Sequence, residues 1–278
     1  MIIILICGKG GIIDYGDILP YFPQRENNTM KLYLIRHAQS TNNALNARTG
    51  SYTSKGRASD PDLTEIGYQQ AQKLAQLLAN ESGELHQHSL SKQTGLGFGL
   101  THIYCSLMTR AILTAMPIAE ACGLRLRALD NTFERGGIYE MNEQGIRVGL
   151  PGPTRHDFMD RFPTLILPES IGDTGWYDRP FETEEMFIER IKRVVPELIN
   201  RHVHTEDSVA LVAHVHFIDQ FINELMGVER DPNNYANKWK INWALYNTSI
   251  SHIEIVMGCT LVVYLNRIDH LSAALRTW

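Results

Sequence analysis

"MKLYLIRHAQSTNN", residues 30–43, decides how this chain is read. Its first six residues form an apolar run of strand length, the pattern of a strand buried on both faces of a parallel sheet. The run stops on Arg36 and His37 and passes at once into polar, turn-forming residues. A cation and an imidazole at the rim of a sheet are costly in a core and useful in a site.

Working outward, the same grammar recurs. "SVALVAH" (208–214) is a second fully apolar run ending in histidine, His214. "THIYCS" (101–106) is a third strand, and Ser106 is placed to cap the helix "LMTRAILTAMPIAEACG", which Gly123 ends and whose first turn carries Arg110. "DLTEIGYQQAQKLAQLLAN" (62–80) predicts a helix with Thr64 as N-cap and one face marked by Ala71, Leu74, Leu77 and Leu78. "RLRALD" (125–130) is a short strand. "TEEMFIERIKRVVPELINRH" (183–202) is helical with a kink expected at Pro196, and "FIDQFINELMG" is a further helix. "SISHIEIVMGCTLVVYLN" (249–266) reads as two strands around a turn at Met257-Gly258. Residues 80–100 read as a surface insertion, and 133–180 as long Gly- and Pro-containing loops. The alternation predicts an α/β fold: a mostly parallel central sheet flanked by helices.

The 278 residues suffice for one large domain. Residues 1–29, rich in turn formers, read as an N-terminal extension, disordered or a mis-assigned start, with the domain proper at 30–278. "GKGG" lacks the spacing of a phosphate loop. A formal net charge of −5 argues against nucleic acid and membrane partners. The N-terminal apolar run is too short to span a bilayer and has no basic flank. Cys7, Cys105, Cys122 and Cys259 form no CxxC pair and read as small hydrophobes in a reducing compartment, so a cytoplasmic location is expected.

Ligands of open α/β sheets bind outside the carboxyl ends of the strands. Arg36, His37, Arg110, His214 and the helix N-terminus after Ser106 therefore converge, and together they describe a site for a dianion such as a phosphoryl group.

These segments resemble the histidine phosphatase superfamily, which includes phosphoglycerate mutases and many phosphatases. "LIRHAQSTNN" is similar to its strand-Arg-His-Gly signature, with Asn43 at the asparagine position. "DLTEIG" (62–67), "CSLMTRAILTA" (105–115), "FERGG" (133–137) and "VALVAHVHFI" (209–218) follow in the family's order. The resemblance implies a phosphoglycerate mutase-like fold and a metal-independent phosphatase of a small phosphorylated metabolite. It further implies a phosphohistidine on His37, with Glu134 and His214 catalytic and Arg36, Asn43 and Arg110 holding the phosphate. A phosphoglycerate mutase-type transferase is the nearest alternative, and a catalytically silent binding module of the same fold is a third. Glu134 is preferred over Glu140 and Glu143 by its spacing.

Two residues depart from the pattern, Ala38 and Val215, where the family carries glycines. Val215 tolerates a positive φ poorly, so an altered pocket wall is expected there. Arg155, His156, Trp176, Tyr177 and Arg179 either line the mouth or pack as loop aromatics. His216 reads as a structural or rim histidine. The pairs His86/His88, His202/His204 and His214/His216 show no third ligand, so no metal and no cofactor are expected. The oligomeric state is left open, a homo-oligomer included.

Overall fold

The computed structural model describes residues 4–7, 11–12, 29–51, 55–80, 98–228, 241–256 and 258–278. The insertion expected at 80–100, apart from its ends, the His86/His88 pair and Met257 lie outside these residues.

Among the described residues, ten strands and six α-helices follow in chain order. The strands are β1 (Ile4–Cys7), β2 (Gly11–Ile12), β3 (Thr29–Arg36), β4 (His102–Ser106), β5 (Leu126–Leu129), β6 (Tyr139–Met141), β7 (Arg147–Gly149), β8 (Ser208–Ala213), β9 (Ile250–Val256) and β10 (Cys259–Arg267). The helices are α1 (Thr41–Thr49), α2 (Glu65–Ala79), α3 (Thr109–Ala121), α4 (Arg155–Arg161), α5 (Glu184–His202) and α6 (Val215–Leu225).

Eight strands form one sheet in the order β2-β1-β10-β9-β3-β8-β4-β5. Strands β3, β8, β4 and β5 pair in parallel, and β9 joins β3 antiparallel. Through the antiparallel pairs beyond β9, strands β10 and β2 also point with β3, so only β9 and β1 run against the rest. The sheet is mixed and mostly parallel in direction, and helices flank it on both faces.

The apolar runs explain the layering. Along β3, Tyr33 and Ile35 enter one core with Leu74 of α2 and Ile112 of α3. Met30, Leu32 and Leu34 enter the opposite core with Phe187 and Ile191 of α5 and Phe217 and Ile218 of α6. Strand β8 divides the same way, Ala210 and Val212 against Val209, Leu211 and Ala213. Period-two alternation of uniformly apolar residues thus feeds two cores, which leaves the strand ends as the place for polar chemistry.

Several local expectations are corrected. The polar run after His37 is a helix, α1, closed at its start by a capping box between Ser40 and Asn43. Residues 133–180 contain the hairpin β6–β7 and the short helix α4, itself capped by Thr154 and Asp157. The N-cap of α3 is Met108, not Ser106; the Ser106 hydroxyl accepts the Met108 N–H at 3.3 Å. Cys105 and Cys122 are free thiols, but Cys259 is disulfide-bonded, so the reading of four reduced cysteines fails for it. Of the expected extension, Ile4–Cys7 pairs with β10 and Gly11–Ile12 with β1, and Thr29 already belongs to β3.

Candidate active site

Strand β3 delivers Arg36 and His37 to the carboxyl end of the sheet. The Arg36 guanidinium donates from Nη1 to the Leu245 carbonyl at 2.5 Å. His37 is 3 % exposed. Its Nδ1 lies 2.7 Å from the carbonyl of Ala38, which assigns the proton to Nδ1 and a lone pair to Nε2. Nε2 faces Arg110, whose Nε–H donates to it at 3.1 Å. Burial, then the charges of Arg110 and Arg36, holds the His37 imidazole well below its usual range.

His214 follows β8 directly, and its ring centroid lies 5.2 Å from that of His37. It is fully buried, and neither ring nitrogen has a hydrogen-bond partner. Burial and the neighbouring Arg110 keep it neutral too. A buried imidazole with two unmet polar atoms is expensive in a core, and here both atoms sit beside an arginine and a second histidine.

Arg110 sits in the first turn of α3 and is 8 % exposed. Asp60, which sequence reading missed, sets it in place. The Asp60 carboxylate accepts the Thr109 N–H at 3.1 Å and the Thr109 hydroxyl at 2.7 Å, and lies 3.8 Å from Arg110 Nη1. So a carboxylate from a distant loop does what Ser106 was expected to do, and the Thr109 N–H does not face the crevice. Burial pushes the Asp60 carboxyl up, while Arg110 and Thr109 pull the other way.

Glu134 reaches the site from the loop after β5. Its Oε1 accepts the Arg135 N–H at 2.8 Å and its Oε2 accepts the His216 N–H at 3.3 Å. The carboxylate thereby occupies the positive N-terminus of α6. His216 Nδ1 is 3.2 Å from Oε2, which makes His216 the partner of the acid and more than a rim residue. Burial alone would raise the Glu134 carboxyl, but His216 and His214 hold it well below the usual carboxylate range. The rivals Glu140 and Glu143 are exposed on the hairpin.

A buried ion pair fixes the Glu134 loop. Arg190 of α5 grips Glu182 bidentately at 2.6 and 2.7 Å, donates to the Asn131 and Phe133 carbonyls, and lies 3.7 Å from the centre of the Phe133 ring. Gly137, at φ 71°, lets the chain pass Tyr177, because a Cβ there would overlap that ring. Tyr177 and Trp176 are core residues, Tyr177 packed edge-on and Trp176 tilted against Phe133, so they do not line a mouth. Arg155 spends its donors on the Ile171 and Pro168 carbonyls.

Asn43 lies beside the turn after His37. Its Oδ1 accepts from the Ser40 N–H at 3.0 Å and the Ser40 hydroxyl at 2.9 Å, and Asn247 approaches at 3.4 Å. Its oxygen holds the turn after His37, and only its amide nitrogen is left to meet an anion. Asn247 also donates to the His37 carbonyl at 3.0 Å, and Thr248, at φ 56°, donates to the Arg36 carbonyl at 3.0 Å. No motif marked these two residues. Arg57, stacked 4.0 Å from the Tyr139 ring, adds its charge to the field at Arg110.

The glycine departures are absorbed without strain. Ala38 and Val215 both have negative φ, and Val215 is the first residue of α6. The Ala38 N–H donates to Thr114 Oγ1 at 3.0 Å. A required glycine does stand at Gly67, where a Cβ would lie 2.2 Å from the Gln39 carbonyl oxygen, so α2 packs directly on the turn after His37.

Buried imidazoles, arginines and a carboxylate at the carboxyl end of a parallel sheet define a site for phosphoryl chemistry. Comparison with known proteins identifies the class. Residues 32–268 match the model of the histidine phosphatase superfamily (branch 1), and the chain belongs to that superfamily. It is a phosphoric monoester hydrolase. It is 26% identical over 250 residues to phosphoserine phosphatase 1 of Hydrogenobacter thermophilus, covering 87% of this chain and 95% of the relative. It is 34% identical to a probable phosphoglycerate mutase GpmB of Yersinia pestis over 97 residues, 35% of this chain and 34% of the relative. A crystal structure of phosphoserine phosphatase from Entamoeba histolytica, in complex with 3-phosphoglyceric acid, superposes with a TM-score of 0.52 at 21% identity. That match covers 87% of this chain and 100% of the other, and it shares the fold. Among the described residues no helix is long and apolar enough to cross a membrane.

Proposed function

We propose that this protein hydrolyses the phosphate monoester of a small metabolite through a phosphohistidine on His37, without help from a metal ion. The observation that carries the reading is the presentation of His37. Its Nδ1 is committed to the Ala38 carbonyl, its Nε2 lone pair faces Arg110, and the partnerless His214 lies alongside.

In this reading the dianion enters between these groups. Arg110 shifts its Nε–H from His37 to a phosphate oxygen, and Arg36, His214 and the Asn43 amide nitrogen supply further donors. Nε2 of His37 attacks phosphorus as the ester oxygen leaves in line. Each preorganised donor on the equatorial oxygens contributes roughly 3 kcal/mol in the transition state. Glu134 delivers a proton to the leaving oxygen. The approaching dianion raises its proton affinity against the pull of His216, and it then takes a proton from the water that attacks the phosphohistidine.

The substrate class follows from similarity to a phosphoserine phosphatase along most of the chain. We take phosphoserine and related three-carbon phosphates as the first candidates. The deciding experiment offers phosphoserine, 3-phosphoglycerate and a panel of phosphorylated metabolites to chelator-treated enzyme. It measures inorganic phosphate, interconversion of 2- and 3-phosphoglycerate, and acid-labile phosphate on the protein. Phosphate release with label on His37 is the expected result. Fast interconversion with negligible release makes the protein a mutase, and loss of turnover on chelation, restored by Zn²⁺ or Mg²⁺, refutes the metal-free reading.

A further inference from the structure

At the opposite end of the same strands lies a second cluster that the phosphoryl chemistry does not use. His102 opens β4, His202 ends α5, and Asp207 directly precedes β8. One donor atom from each lies within 4.8 Å of the other two. The His202 Nδ1 is 2.8 Å from Asp207 Oδ2, and the His102 Nδ1 is 3.6 Å from Asp207 Oδ1. Four-coordinate zinc with bonds of about 2.0–2.1 Å separates its ligand atoms by about 3.4 Å, so closing these donors, now within 4.8 Å of one another, onto one ion takes a side-chain adjustment of about 1 Å.

We propose that His102, His202 and Asp207 form a binding site for a divalent transition metal, Zn²⁺ by the softness and number of its donors. Two imidazoles and one carboxylate suit zinc better than calcium or magnesium, which prefer all-oxygen shells. Three protein ligands leave one position open. It faces a cavity of about 680 Å³ that the three residues line together with Tyr104, Glu197 and Arg201.

Two further features support the assignment. Metal-binding histidines normally hold their second ring nitrogen in a hydrogen bond, and the Tyr104 hydroxyl lies 3.1 Å from His202 Nε2. When the metal takes Nδ1, the imidazole proton moves to Nε2 and is donated to the Tyr104 oxygen, so neutral His202 binds without net proton release. His202 is also the last residue of a helix of 19 residues, where the exposed carbonyls favour a cation. In the sequence, His202 stood beside His204 and had no third ligand. The fold brings one from 100 residues upstream and leaves His204 exposed.

This end is separated from His37 and His214 by the length of β8, roughly 20 Å, so the proposal stands or falls apart from the catalytic reading. The test uses untagged full-length protein, stripped by chelator and dialysed against Zn²⁺, with bound metal measured by atomic absorption. Co²⁺ is substituted in parallel for its visible spectrum. One equivalent of zinc is expected, with a tetrahedral cobalt spectrum. His102→Ala and Asp207→Asn should each weaken binding by about 100-fold and Tyr104→Phe by about 10-fold, while His204→Ala and His37→Ala leave it unchanged. His202→Ala is not the primary variant, because that side chain is buried. His102, 37% exposed, can be lost without harm to the core, and circular dichroism checks that it has been. No retained zinc, or equal zinc in His102→Ala and Asp207→Asn, would overturn the site and leave a hydrogen-bonded staple. Loss of zinc in His37→Ala would move the metal to the phosphoryl site.

Discussion

The two ends of the central sheet use the same residue type in opposite ways. At the carboxyl end, His37 and His214 are buried against Arg110, and His214 has no hydrogen-bond partner. At the amino end, His202 is equally buried but is satisfied on both nitrogens, by Asp207 and by Tyr104. Burial is therefore not what distinguishes a reactive histidine here. The sign of the neighbouring charge is, together with whether the ring's polar atoms are already spent. The carboxyl end carries unmet polar atoms, a cost borne by the two apolar cores beneath it. At the amino end the His202 ring is held by its own neighbours, and the contacts tie β4, α5 and β8 together.

The largest effect expected from breaking this contrast is in His37→Ala. Turnover should fall by at least about 10⁴-fold, with acid-labile phosphate lost, yet the melting temperature should hold, since the ring removed belongs to neither apolar core. A variant that keeps phosphate release, or one that unfolds, would erase the distinction between the two ends.

Glu134→Gln tests the acid. Esters with alkyl leaving groups should slow by about 10²- to 10⁴-fold and a nitrophenyl ester far less, because protonation matters most for a basic leaving oxygen. Equal slowing of the two would remove the proton-donor role and direct attention to Glu140 or Glu143.

His202→Ala is the mirror of the first variant. It should lose about 2–4 kcal/mol in denaturant unfolding, through the cavity and the orphaned Asp207 and Tyr104 groups. At a temperature where the variant remains folded, turnover should match the wild type. A large fall in kcat with unchanged stability would mean that the two ends communicate.

Titration sharpens the comparison further. The His214 pKa is depressed in the folded state, so below the ordinary value of about 6.5 the unfolded chain binds the extra proton first. Its contribution to stability is therefore whole above that pH and is lost as pH falls toward its depressed folded value. His214→Gln should flatten the acid limb of stability against pH by up to about 1.4 kcal/mol per pH unit. Identical acid limbs in variant and wild type would contradict a neutral buried imidazole.

The smallest effect is expected at the N-terminus. We take residues 30–278 as the working domain, and a protein beginning at Met30 should keep full turnover. Strands β1 and β2 lie at the far edge of the sheet from the site. A loss of turnover would make the first 29 residues part of the enzyme.

What the sequence determined by itself was whatever depends on local order. Uniform apolar runs 30–35 and 208–213 specified strands buried on both faces, and chain direction then placed Arg36, His37 and His214 at one end of the sheet. Thr64 announced the start of α2 through a bond to its own third neighbour, a signal contained in four residues. Spacing from a strand favoured Glu134 over Glu140 and Glu143, and the fold sets its carboxylate at the start of α6. What only the tertiary structure decided were the groups that hold these residues. Asp60 replaces Ser106 at the start of α3 across 49 residues of chain. The Asn43 oxygen binds Ser40 and is approached by Asn247 from 204 residues away, which orients the amide nitrogen left over. Val215 looked like a strained substitution until its φ was seen to be that of an ordinary helix start. The His102–His202–Asp207 cluster joins three elements that no spacing connects. For the polar cases the physical reason is shared: a strand, a cap or a turn is stabilised by neighbours in sequence, whereas a buried polar atom takes its partner from whatever segment the packed core brings close, and sequence distance carries no trace of that choice.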